Sequence, residues 1–373
     1  MFVCCDANAF VSHTGANMAI RQLSLTDFRN LRSTTLEFDQ RVNLITGENG
    51  SGKTSLLESI YVLCQADSFR THQLRQCINH QKSSFLLFGR FGDFKAGLSK
   101  SDRKLDIHVN GESIKRRSEL VRKVPIQVLN TDSFALISGS PQQRRTFIDW
   151  CLFHVEHSYA QLWGEYRHAL RQRNRLLKNR KDLNLLDYWN EHLVGPLRSL
   201  HEMRQRQCTE LSELLHTEFS DLLTDIPVEM VYRRGWPEGM DIAEVLVAQR
   251  QRDIRSGFTN SGIHRDDLVF TSNGLKAGEV LSRGQSKRLC LALVMASLKK
   301  VGVETGRRII LLIDDLHSEL DEKAQGRVYQ KLADLDLQLF ISNIDSRLPE
   351  GLQAKEFKMF HVEHGTIKAR IFS

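Results

Sequence analysis

Along the first third of the chain, apolar and polar residues alternate in short runs. IRQLSL, TTLEF, RVNLIT, SFLLFGRF and KLDIHV are β-rich, with polar or glycine punctuation between them. After RVNLIT comes a glycine loop and then SLLESIYVLC, with apolar residues at helical spacing. VPIQVLN predicts a further short strand. From about Pro141 to Thr224 the pattern changes. Proline occurs there only at Pro141 and Pro196, glycine is scarce, and Leu, Arg, Gln and Glu dominate. This predicts two or three long helices, broken near Gly195–Pro196. The β pattern returns at VEMVYRRGW and DDLVFTSNG. LSRGQSKR then runs into the apolar LCLALVMASL, followed by the strand RRIILLIDD, a short helix and LQLFISN. Strand–helix–strand alternation predicts a parallel α/β sheet with a helical insertion.

Residues 1–17 carry no Lys or Arg and no clear period, whereas Met18 opens the strand-like MAIRQLSLTDF. We expect Met18 to be the natural start and 1–17 to be a non-native or disordered extension.

Composition narrows the class. With 373 residues, 41% hydrophobic and 26% charged, the chain has the make-up of an ordinary soluble protein. No apolar run is long enough to span a bilayer, and the N-terminus lacks a basic secretory n-region, so the expected location is cytoplasmic with no membrane partner. Seven cysteines fall in no metal-ligand or disulfide spacing and read as reduced thiols. The net charge of +7 favours a polyanionic partner only if it gathers on one element. It does so in YAQLWGEYRHALRQRNRLLKNRK, where Glu165 is the one acid against Arg167, Arg171, Arg173, Arg175, Lys178, Arg180 and Lys181. A charge run is usually a solvated face. Tyr159, Trp163 and Tyr166 recur there at helical spacing and read as core.

Gly47-Glu48-Asn49-Gly50-Ser51-Gly52-Lys53-Thr54 fits the P-loop (Walker A) pattern. The glycines let successive N–H groups point inward at phosphate oxygens. Lys53 supplies a mobile cation to the β- and γ-phosphates, and Thr54 a hydroxyl for Mg²⁺. The helix that begins here adds its positive dipole end. The strand before the loop and the helix after it supply the required context.

RRIILLIDD ends an apolar strand in two acids, the Walker B arrangement. It places Asp314 near the metal, with Asp315 to orient or deprotonate a water. Leu281-Ser282-Arg283-Gly284-Gln285 is similar to the ABC signature usually written LSGGQ, in which a hydroxyl, a glycine and a helix N-terminus meet an anion. A helix capped by Ser282 is the bland alternative. The order of signature, acidic strand and SELD (Ser318–Asp321, a D-loop) favours the ABC reading. Arg283 replaces the usual glycine, and Asn343 stands where transporter ATPases carry a switch histidine. We therefore expect slow hydrolysis, with nucleotide acting as a clamp.

DFRNLR, ENGSGKTSLLESIY, DSFRT, SFALISGSPQQRRTFIDW, SGIHRDDL, VLSRGQSKR and LIDDLHSELD together resemble the RecF family, short relatives of SMC and Rad50 ATPases. Thr131 replaces a proline common in that family. The resemblance implies an ABC-type ATPase head with a mixed or parallel P-loop sheet, an N-terminal antiparallel β subdomain and an inserted helical lobe. Its divisions would be lobe I at 18–140 and 225–373 and lobe II at 141–224. It further implies ATP and Mg²⁺, an ATP-dependent homodimer, and binding to single-stranded and gapped double-stranded DNA. Work with RecR and RecO would then load RecA in repair, replication restart and SOS induction. Residue by residue, it puts Gly47 to Thr54 on nucleotide, and Thr54 and Asp314 on metal. Lys53 and Asp315 become catalytic, and Ser282, Gly284 and Gln285 act across the dimer. Gln127 takes the place of the magnesium-sensing glutamine, and Arg29 and Asn30 lie near base or ribose. DNA contacts stay open between the basic helix and Arg70, Arg144 and Arg145.

The main rival is the ATP-binding subunit of an ABC transporter, which is expected to keep the switch histidine. A long-armed SMC protein needs a far longer insertion. A nucleotide kinase lacks the signature, and an ATP-driven nuclease needs a further domain after Walker B.

Overall fold

The computed structural model describes residues 18–316, 320–352 and 356–372. The expectation for residues 1–17, and the Ser318–Glu319 half of the SELD segment, lie outside the described residues. The first sheet is built from β1 (Gln22–Thr26), β2 (Thr34–Glu37), β4 (Ser84–Arg90), β5 (Lys95–Ser101), β6 (Leu105–Val109) and β7 (Glu112–Ser113). Every pairing in it is antiparallel, in the order β2-β1-β4-β5-β6-β7. Its strands alternate buried and exposed positions, as in Ser84–Arg90, so one face packs inward.

The second six-stranded sheet collects segments from the whole chain. It contains β3 (Val42–Thr46), β8 (Ile126–Leu129), β12 (Ile309–Ile313), β13 (Leu337–Asn343), β14 (Phe357–Glu363) and β15 (Thr366–Phe372). The order is β15-β14-β3-β13-β12-β8, parallel throughout except for the last hairpin. β3, β12 and β13 are buried at every residue, as an unbroken apolar run in a two-sided parallel sheet requires. Helix α1 (Lys53–Gln65) shares one apolar core with the antiparallel sheet.

The remaining helices, with two short turns α2 (Arg117–Val121) and α3 (Ala135–Ser138), lie mostly on the other side. α4 (Pro141–Val155) starts at a Ser140–Gln143 capping box with proline at its first position. α5 (Tyr159–Asn179) and α6 (Leu186–Glu218) form an antiparallel pair. The expected break at Gly195–Pro196 does not occur, because α6 runs unbroken through Pro196. Leu193, Leu197, Leu200, Leu211 and Leu215 bury one stripe along it, and this packing outweighs the lost backbone bond. At 1.5 Å per residue the helix is about 50 Å long.

These helices also pack on a third, small sheet of β9 (Glu229–Arg233), β10 (Asp267–Ser272) and β11 (Leu275–Lys276), with α7 (Ile242–Ala248) and α8 (Arg250–Ser256). The helical layer thus draws its partners from both sides of the boundary expected at Thr224. After the short α9 (Ala277–Val280), α10 (Arg283–Thr305) runs through the same core, buried without a break from Leu289 to Leu298, and α11 (Glu322–Ala333) follows. Among the described residues no helix is long and apolar enough to cross a membrane.

Buried ion pairs lock the helical layer. Arg204 on α6 bonds Asp149 on α4 at 2.5 Å and Asp266 at 2.7 Å, and Tyr232 also donates to Asp266. Arg173 on α5 bonds Asp253, Thr259 and Asn190. Removing one partner leaves the others charged and dry. Arg204→Met is therefore expected to destabilise the protein by about 3–5 kcal/mol. An unchanged urea midpoint would show that the network contributes nothing.

Candidate functional site

The parallel register brings the C-terminal ends of β3, β13 and β12 side by side. Asn343 pairs with Thr46, Ser342 with Ile45, and Ile313 with Ile341. Ligand crevices of α/β sheets open at this edge. The chain leaves β3 into the loop Gly47–Gly52 and re-enters as α1. Gly47 has φ 144°, and a Cβ there would stand 2.3 Å from the Val362 carbonyl oxygen, so only glycine fits. Within the loop the Ser51 hydroxyl is buried without a partner.

A cleft of about 360 Å³ is lined by Asn49, Gly50, Gly52, Lys53 and Thr54 from the loop, with Asp314, Asp315, Ser342 and Asn343 across from them. The Thr54 hydroxyl donates to Asp314 Oδ1 at 3.2 Å. Ser342 donates to the same oxygen at 2.8 Å and accepts from the Asp315 N–H at 3.0 Å. Asp315 holds φ 54°, the left-handed region, directly at the strand end. Lys53 Nζ donates to the Gly47 and Glu48 carbonyls at 2.7 and 3.0 Å. Burial lowers the Lys53 pKa, while Asp315 and Asp314 pull it back up.

The signature segment is elsewhere. Ser282, Arg283 and Gly284 are exposed at the start of α10. Ser282 Oγ accepts from Gln285 N at 3.2 Å and Gln285 Oε1 accepts from Ser282 N at 3.0 Å, a complete capping box. The depression beside it is lined by Asp225, Arg288, Asp321, Lys323 and Arg327 and shares no residue with the P-loop cleft. The bland alternative of a capped helix is therefore present in fact; the cap takes the Gln285 N–H and leaves the N–H groups of Arg283 and Gly284 to meet an anion.

Several expected residues stand apart from the cleft. Gln127 is in the middle of β8 opposite Leu311, short of the edge where Asp314 emerges. Asn30 lines the cleft and accepts from Ser55, but Arg29 is turned into the buried Glu58 with bonds of 2.7 and 2.9 Å. Of the candidate DNA contacts, Arg144 is buried in a two-bond pair with Asp267, Arg145 donates to the Asp266 carbonyl, and Arg173 is fully buried. A fork-shaped guanidinium held by a carboxylate in a dry site is not available to phosphate. Arg167, Arg171, Arg175, Lys178, Arg180 and Lys181 stay exposed, while Tyr159 and Tyr166 are core. Arg70 lines the cleft and also bonds Glu58, at 3.2 Å.

Sequence reasoning missed Ser342, Glu58 and the last hairpin. The hairpin turn grips two loops at once: Gly365 N–H donates to Ser51 O at 3.0 Å, and Gly365 O accepts from Arg32 N at 2.8 Å. Only the glycine in VEHGT hinted at it.

The chain belongs to the SMC-type head class. The family described as RecF/RecN/SMC N terminal domain matches residues 19–368. The DNA replication and repair protein RecF of Cellvibrio japonicus is 40% identical over 365 residues, covering 94% of this chain and 99% of that protein. A structure of the recombination mediator protein RecF-ATP in the RecFOR pathway is 25% identical with TM-score 0.83, covering 96% of this chain and all of that one. A second, RecF-ATPrS, is 26% identical with the same TM-score, covering 96% and 99%. This chain is a member of the RecF family.

Glu58 offers a test of the cleft wall. Burial raises its pKa, but hydrogen bonds from Arg29 and Ser68 and the charges of Arg29 and Arg70 outweigh that and lower it. A carboxylate lowered in this way stabilises the fold above its unfolded pKa and loses that contribution as pH falls through the native value. Glu58→Gln is expected to cost about 2 kcal/mol at pH 7. It should also flatten the loss of stability below about pH 4. Urea midpoints at pH 7 and in acid check this, and parallel curves for parent and variant would assign the titration to another group.

Proposed function

We propose that the chain is an ATP-operated, DNA-binding recombination mediator. It binds ATP in the P-loop cleft, closes as a homodimer and holds single-stranded or gapped double-stranded DNA. With RecR and RecO it promotes RecA loading in repair, replication restart and SOS induction. The observation that carries the reading is the Thr54–Asp314 hydrogen bond, which joins the P-loop to the acidic strand end while the signature lines a separate depression. The RecF names of its relatives and the RecF-ATP structure support it.

The residues fit the ligands. A hydroxyl and a carboxylate oxygen side by side are hard donors suited to Mg²⁺, which is commonly held by one or two protein ligands plus phosphate oxygens and water. Among the described residues there is no cluster of three His, Cys, Asp or Glu that would form a closed cage. Thr54 and Asp314 would hold the ion, which when bound neutralises phosphate charge. Lys53 gives up its two loop carbonyls for the phosphates, and the buried Ser51 hydroxyl has hydrogen-bonding capacity to spare. Asp315 orients the attacking water. Ser282 and the N–H groups of Arg283 and Gly284, from a second copy, close the site over the phosphate. Asn343, at the end of β13, accepts from its neighbour Ile344 N and, as an amide, cannot take up a proton as a histidine would, so turnover is slow and the nucleotide works as a clamp. The exposed lysines and arginines of α5 supply a phosphate-binding, salt-sensitive surface.

Lys53→Ala and Ser282→Arg are each expected to abolish Mg-ATP-induced dimerisation in sedimentation velocity while leaving the fold intact. Mixing the two should restore a fraction of dimer, since one composite site is then whole. Normal dimerisation of Ser282→Arg would sink the shared-site reading. Turnover should stay below about 1 s⁻¹, under the usual range of roughly 1–10³ s⁻¹. A transporter-like rate, with or without DNA, would contradict the clamp.

A further inference from the structure

Asp225 lies just past the turn Ser220–Leu222 that follows α6. Its carboxylate takes both arms of Arg288, with Nη1 to Oδ1 at 2.7 Å and Nη2 to Oδ2 at 2.6 Å. Gln285 Nε2 donates to the same carboxylate and to the Asp225 carbonyl, each at 3.4 Å. Gln285 is also the residue that exchanges capping bonds with Ser282. The chain of contacts therefore runs from the foot of the helical layer, through one exposed aspartate, into the signature turn.

Two more ion pairs fasten α10 to α6 farther along. Lys299 meets Glu218 at 2.7 Å, and Lys300 meets Glu210. α10 also shares its apolar core with α4, α5 and α6, whereas α1 shares another with the antiparallel sheet. The Asp225 side chain is 53% exposed, and a pair this wet contributes little to stability. What it fixes is direction, because a two-bond guanidinium–carboxylate fork allows one orientation.

We propose that Asp225 is a positioning residue for the shared nucleotide site. It holds Gln285 and Arg288 so that Ser282 and the free N–H groups of Arg283 and Gly284 face the phosphate carried by a second copy. It also makes the signature follow any displacement of α6. This inference rests on the shared-site reading above. Arg288 brings the Asp225 pKa down to about 2, so the clamp stays charged through the neutral range.

The test measures two quantities on the full chain: affinity for a fluorescent ATP analogue, and Mg-ATP-induced dimerisation by sedimentation velocity. Asp225→Ala is expected to bind the analogue within about two-fold of the parent, while its dimer dissociation constant rises at least about ten-fold. Asp225→Glu, which keeps a carboxylate to accept from both Arg288 and Gln285, should recover most of the loss, and the split between unchanged nucleotide affinity and weakened dimerisation is what a merely structural role would not give. Mixing Asp225→Ala with Lys53→Ala should give more dimer than either alone. Parent-like dimerisation of Asp225→Ala overturns the proposal, as does a failure of Asp225→Glu to recover dimerisation or an equal loss of nucleotide binding. Ser282→Arg, run alongside, separates the cases. If it too dimerises normally, the shared-site reading fails. If it does not while Asp225→Ala does, only the role of Asp225 is lost.

Discussion

The site depends on one hydrogen-bonded junction, where Thr54 and Ser342 both donate to a single oxygen of Asp314. Three strands distant in sequence must end at the same level for this to exist. Thr54 and Asp314 are 260 residues apart, and only the parallel order β3-β13-β12 puts them together. A strand advances about 3.3 Å per residue, so a slip of one position in β13 would carry Ser342 out of reach of the carboxylate. The fully buried faces of all three strands oppose such a slip, since any shift would disturb two packed layers at once.

Part of the backbone strain lies at this junction and on the segments that flank the P-loop. Arg29, Asp315 and His364 all hold positive φ although none is glycine. Such residues cost about 1–3 kcal/mol each and persist only where the surroundings over-determine them. The surroundings here are specific: Arg29 is tied to Glu58, Asp315 to Ser342, and the turn after His364 to both Ser51 and Arg32. The last hairpin of the chain is thus part of the P-loop's support, and its removal would leave the loop open on one side.

Much of this was legible in the sequence. The P-loop, the acidic strand and the signature each need particular residue types at fixed spacing, so GENGSGKT, LLIDD and LSRGQ could be read before any coordinates. Pattern failed where tertiary packing decides. Pro196 argues locally for a break, but the leucine stripe of α6 continues on both sides and holds the helix together. The basic run made Arg173 a candidate for DNA and the family resemblance left Arg144 open beside it, yet Asp253 and Asp267 lie 80 and 123 residues away and no local signal announces them. Ser342 was unreadable for a related reason: its role exists only once β13 lies between β3 and β12.

The two apolar cores explain why the P-loop and the signature segment are separated within the chain. The P-loop helix belongs to one core with the antiparallel sheet, and the signature helix to the other with α4–α6. A single core would pack the P-loop helix and the signature helix against one another. Here the two helices sit in different cores joined through the parallel sheet. The basic exposed face of α5 belongs to a helix that packs along α6, and Asp225 follows α6 in the chain, just past the turn Ser220–Leu222. On the proposed reading, polyanion bound along α5 and nucleotide held by a second copy therefore act on the same body. Arg283 stands at the meeting point, exposed on the first turn of α10, and nothing in the structure explains its charge.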